Sequence, residues 1–140
     1  MRTEFQTRAL AVANQLKQET IIVTAMSVAL LAYMPLLARE VSPAANWLLV
    51  ASSIFTVLTL GLCALLTFDA ILFRAMATWK NEADGGAAID AFLTAWKLKP
   101  PSASPRSLDD RAKGAQRYVN IRRVVLAFAL ACALAARYWH

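Results

Sequence analysis

Three long apolar runs constrain this chain more than any motif in it. They cover roughly residues 20–38, 47–73 and 124–136. A bilayer core takes about 20 apolar residues as a helix. Inside lipid, every backbone N–H and C=O must find its partner within the chain, which leaves helices as the spanning structure for runs of this length. The expected fold class is an all-α membrane protein with three transmembrane helices: an antiparallel hairpin and a short, Ala-rich third span.

The positive charges then set the threading. Of the 15 Lys and Arg residues, three precede the first run (Arg2, Arg8, Lys17) and one lies between the first and second (Arg39). Ten lie between the second and third (Arg74, Lys80, Lys97, Lys99, Arg106, Arg111, Lys113, Arg117, Arg122, Arg123), and Arg137 follows the third. Thirteen of fifteen therefore fall on one side of a three-span chain. Positive loops stay cytoplasmic, so the N-terminus is expected inside and the C-terminus outside, in a bacterial cytoplasmic (inner) membrane. The net charge of +6 belongs to this pattern. The cations flank spans, where anionic inner-leaflet headgroups attract each by roughly 1 kcal/mol. Arg117, Arg122 and Arg123 are the expected headgroup contacts, and nucleic acid is not an expected partner.

Segment by segment, residues 1–19 read as an N-terminal amphipathic helix. Thr3 and Gln6 have capping-box spacing, and Phe5, Ala9, Val12 and Leu16 share one face. Residues 20–38 form the first span, retained rather than cleaved: Glu4 and Glu19 precede it, and bulky Leu36 occupies the position where a signal peptidase needs a small residue. Ala25 and Ala29 are spaced for close helix packing, and Pro35 is expected to kink or end the helix. Residues 39–46 make a short outer link. Residues 47–73 form the second span, longer than one crossing needs.

Ser52, Thr56, Thr59, Cys63 and Thr67 make a polar stripe along the second span. Such hydroxyls bond back to their own helix or across to a neighbour; a pore lining is the alternative use. Asp69 is the one acid inside an apolar run. An intramembrane carboxylate suggests ion handling, but Asp69 lies near the inner end, where solvation or a basic partner also satisfies it.

Residues 74–123 are the basic cytoplasmic segment. A polar turn closed by Gly85-Gly86 leads to a second amphipathic helix over about 87–98, with Ile89, Phe92, Leu93 and Trp96 on one face. That face suits an in-plane helix on the inner leaflet or a docking helix for a protein. Pro100-Pro101 stops it. A juxtamembrane helix is expected over about 108–123, opening with capping-box-like spacing at Ser107–Asp110 and carrying an Asp109–Lys113 pair. It leads into residues 124–140, the short third span and outer C-terminus. Ala127, Ala131 and Ala135 form a ladder there, the expected partner interface.

Catalytic constellations are missing. There is no HExxH, no Gly-rich phosphate loop and no Ser/His/Asp or Cys/His set. The single histidine, His140, is the last residue, which argues against haem ligation by histidine and against His-based catalysis, and Cys63 and Cys132 read as packing residues inside apolar runs. No enzyme activity, cofactor or metal is expected. The favoured function is an accessory or assembly subunit that packs into a larger membrane complex, with the lipid bilayer and other membrane subunits as partners. The alternatives are a self-associating, homo-oligomeric effector or pore-former with a cytoplasmic sensing segment, and a small transporter or channel component using Asp69.

Overall fold

A computed structural model describes residues 3–98 and 106–139. Within them lie four helices and no strand: α1 (Glu4–Glu40), α2 (Asn46–Met76), α3 (Glu82–Ala95) and α4 (Leu108–Tyr138). Three of these, α1, α2 and α4, are long and apolar enough to cross a membrane. They mark an integral membrane protein. The Pro100-Pro101 stop, the linker through residue 105, Lys99, Arg2 and His140 lie outside the described residues.

Several boundaries differ from expectation. The N-terminal helix and the first span are one helix of 37 residues. Its start is the expected capping box: Thr3 N–H donates to Gln6 Oε1 at 3.0 Å, and Gln6 N–H donates to Thr3 Oγ1 at 3.3 Å. Pro35 does not end the helix, which continues to Glu40. A proline removes one backbone donor, and the surrounding turns carry the helix past it. Helix α3 begins at Glu82, five residues before the expected start, because Asn81 Oδ1 accepts from Asp84 N–H at 2.9 Å and caps it. Gly85 and Gly86 thus lie inside α3 and do not break it.

Contacts divide the chain into two units. The first comprises residues 1–18 and 66–117, the second residues 19–65 and 118–140. In the first, Ala9, Ala13 and Leu16 of α1 are buried, as are Leu66, Ala70, Phe73 and Met76 of α2. From α3 come Gly85, Gly86 and Ile89, and from α4 Leu108 and Ala115. The N-terminal stripe therefore packs on protein within this unit. Polar ties fix the pieces. Glu82 Oε1 accepts from Leu108 N–H at 2.6 Å, Ser107 Oγ caps Asp110 N–H at 3.1 Å, and Arg74 Nη2 donates to Asn14 Oδ1 at 3.1 Å. Arg111 Nη2 meets Asp90 Oδ1 at 2.5 Å, both side chains largely enclosed. Asp109 pairs with Arg8 at 2.8 Å rather than along its own helix; both ends are exposed, which holds the contribution to about 0–1 kcal/mol.

Gly85 matters by its closeness. A Cβ there would stand 3.2 Å from the Met76 carbonyl oxygen and 3.5 Å from the Phe5 ring, whereas Gly114 in α4 has open space. Gly85→Val is expected to lower the melting temperature in mild detergent, overpacking costing about 1–3 kcal/mol. Gly114→Ala is expected to raise it through about 0.5–1 kcal/mol of helix propensity. A Gly85→Val protein as stable as wild type would contradict the close contact.

In the second unit the buried positions alternate at spacings of three and four. They are Met34 and Leu37 in α1; Leu49, Ser52, Thr56, Thr59 and Cys63 in α2; and Val119, Arg122, Leu126, Ala129, Ala133 and Ala136 in α4. Thr20 and Ser27 of α1 lie on the same period. A seam repeating every 3.5 residues winds helices left-handed around one another. Met34, Leu37, Leu49, Ala133 and Ala136 close one end of this core around Ala45.

Candidate functional site

The interior of the second unit mixes buried hydroxyls and alanines with larger apolar residues, and its outside carries many large apolar side chains beside exposed alanines. Inside are Thr20, Ser27, Ser52, Thr56, Thr59 and the α4 alanines; outside, exposed, are Ile22, Trp47, Ile54, Val57, Phe128 and Leu134. Water would favour the reverse. Lipid favours this order, because tails are as apolar as Leu and helices gain by close approach of small residues.

The polar groups of that interior are mostly engaged. Ser52 Oγ donates to the Ala129 carbonyl at 2.7 Å, tying α2 to α4. Thr56 Oγ1 donates back to Ser52 O at 2.8 Å, and Thr59 Oγ1 to Phe55 O at 2.9 Å. Cys63 is buried on the same seam and Thr67 is exposed, because the seam steps from Cys63 to Leu66 at a spacing of three. The Ser27 hydroxyl is buried without a partner.

Arg122 is the unusual member. Its side chain is 0% exposed. Nη1 donates to Thr20 Oγ1 at 3.1 Å and lies 4.0 Å from Cys63 Sγ; Nη2 donates to Glu19 Oε2 at 3.4 Å; Nε has no partner. Glu19, 27% exposed, is shared, because Arg123 Nη2 reaches both of its oxygens at 3.2 Å. One carboxylate thus anchors two guanidiniums, one enclosed and one exposed. A charge is expensive to bury unless it is paired, so Glu19 is what makes the enclosed arginine tolerable. Arg122 was expected among headgroup contacts. It falls on the 3.5-residue seam of α4 and is drawn inward, whereas Arg123, one residue on, and Arg117 are exposed.

The other expected residues distribute as follows. Ala25 and Ala29 are exposed on α1, and Ala127, Ala131 and Ala135 are exposed on α4. Neither group packs inside the chain; Ala129, Ala133 and Ala136 do that in α4. Asp69 is half-buried in the first unit, with Arg111 as its electrostatic neighbour. The stripe of α3 is split: Ile89 is buried, Leu93 half-buried, and Phe92 and Trp96 exposed. Glu19, Thr20 and Ser27 were not singled out from the sequence. Their signal was available as the i, i+7 spacing of Thr20 and Ser27 on a largely apolar span. No family model, curated protein or solved structure matches this chain.

Proposed function

We propose that this chain is a non-enzymatic accessory or assembly subunit that packs into a larger complex in a bacterial cytoplasmic membrane. One observation carries the reading: the small-residue faces of α1 (Ala25, Ala29) and α4 (Ala127, Ala131, Ala135) are left outward, while other alanines serve the chain's own core. Such faces are poor lipid-filling surfaces and good helix-packing ones. Recovery of the tagged chain from its native membrane in gentle detergent, followed by mass spectrometry, is expected to bring down other membrane subunits in fixed ratio. Recovery of the chain alone, as a discrete oligomer, overturns the reading in favour of the self-associating effector. A pore lined by the Ser52–Thr67 stripe has less to draw on, because three of its hydroxyls are engaged within the chain.

In this reading the N-terminus and residues 74–123 lie on the cytoplasmic side and the C-terminus outside, as the 3, 1, 10, 1 distribution of Lys and Arg favours. The exposed Phe92 and Trp96 of α3 then lie on the cytoplasmic side. Cysteines placed singly at position 104 and at the C-terminus, in a Cys63→Ala, Cys132→Ala background, are expected to react with a membrane-impermeant reagent from opposite faces. Labelling of both from one face would mean that α4 does not cross.

A further inference from the structure

The end of α3 combines three features that its role inside the first unit does not require. First, Phe92, Trp96 and Leu98 are 42%, 66% and 62% exposed. The Phe92 and Trp96 rings lie against each other at 5.8 Å, so they form one apolar patch rather than scattered side chains. Second, the helix closes in a tight left-handed turn: Lys97 N–H donates to Thr94 O at 3.0 Å and Leu98 N–H to Leu93 O at 2.9 Å. The residue that takes the left-handed conformation, φ 56°, is Lys97. Glycine is the usual occupant of that position, and a side chain there is strained. A lysine is thus held in a glycine's place, between an exposed Trp and an exposed Leu. Third, the charges along α3 are sorted. Its acids Glu82 and Asp84 stand in the first turn, and Asp90 is neutralised by Arg111. Among the described residues, the aromatic end carries Lys97 as its one charge.

An aromatic pair, an aliphatic residue and a cation at one tip match an anionic lipid surface: rings and Leu enter the headgroup–acyl boundary and the ammonium meets phosphate. A protein groove would take the apolar part, but it gives no reason to keep the strained cation. Membrane-crossing helices in the same chain keep such a surface always within reach.

We propose that the tip of α3, formed by Phe92, Trp96, Lys97 and Leu98, docks on the anionic headgroups of the membrane that the chain itself spans. This rests on the membrane-spanning reading and is independent of the accessory-subunit one. The test uses the full chain with Trp47, Trp79 and Trp139 changed to Phe, leaving Trp96 as the sole tryptophan. It is reconstituted into vesicles of phosphatidylcholine and phosphatidylglycerol, with lipids brominated near the headgroup end of the acyl chain. Trp96 fluorescence is expected to be quenched by the brominated lipid and shielded from aqueous iodide. Lys97→Asn tolerates the left-handed turn and removes the charge. It is expected to lower the docked-to-undocked ratio about five-fold, by the loss of one cation near the surface, and 0.5 M salt, on the order of a Debye length of a few Å, is expected to do the same to the parent. Three results overturn the proposal: quenching by iodide and not by lipid, shielding from both, which means that protein covers the patch, or equal lipid quenching in pure phosphatidylcholine. Resistance of the same preparation to carbonate extraction tests the membrane-spanning reading separately.

Discussion

Glu19→Ala is expected to destabilise the protein by about 3–5 kcal/mol, the cost of leaving a buried charge without its partner. Arg122→Met is expected to cost far less, and the double variant to recover most of what Glu19→Ala loses. The asymmetry follows from how the pair is enclosed. Arg122 is fully buried and already has one unpartnered nitrogen, so without Glu19 its remaining contacts are the Thr20 hydroxyl and the Cys63 sulfur. Glu19 is 27% exposed and still has Arg123 when Arg122 is gone. Replacing a buried ion pair by apolar groups of similar volume is often neutral or stabilising, and methionine fills much of the arginine stem's volume. SDS titration in mixed micelles measures all three variants on one scale. Equal losses for Glu19→Ala and Arg122→Met would show that the carboxylate is not what neutralises the enclosed guanidinium.

The second large effect separates two faces of one helix. Ala129→Leu is expected to disrupt the fold of the second unit, because Ala129 is fully buried and its carbonyl accepts from Ser52. Overpacking alone costs about 1–3 kcal/mol, and a displaced carbonyl leaves a buried hydroxyl without its acceptor, a further 1–3 kcal/mol on the order of the usual desolvation penalty. Ala131→Leu, two residues away and exposed, is expected to leave the unfolding midpoint within about 0.5 kcal/mol of wild type. The combination Ala127→Leu, Ala131→Leu, Ala135→Leu is expected to insert and fold as wild type does, yet to lose co-purifying subunits. Unchanged recovery of those subunits would move the partner interface off this face.

Much of the fold was legible along the chain. The lengths of the apolar runs foretold three membrane-length helices, and Thr3 with Gln6 and Ser107 with Asp110 foretold two helix starts. These features are local, since run length and capping depend on residues within one or two turns. Where the local pattern misleads, a distant neighbour decides. Gly85-Gly86 looks like a breaker in isolation, and lies within α3 because the end of α2 needs to approach closely there. Asp109 looks like a partner for Lys113, and pairs with Arg8, 101 residues away. The α3 stripe looks like one face, but packing takes Ile89 inward and leaves Phe92 and Trp96 out.

The candidate site shows the same division. The polar stripe of α2 could be read as far as Cys63, because it follows one helix. The partners of Arg122 could not be read, because Glu19 is 103 residues away and nothing local distinguishes Arg122 from Arg123. In α4, alanine stands at 127, 129, 131, 133, 135 and 136, on buried and exposed positions alike, so residue type does not say which alanines pack. The sequence alone determined that this chain forms long apolar helices, because apolar length is a one-dimensional quantity. Which alanines pack and which face outward, and which of two adjacent arginines is enclosed, was decided only by the tertiary structure. A 3.5-residue seam selects positions through its neighbours, and those neighbours come from helices far away in the chain.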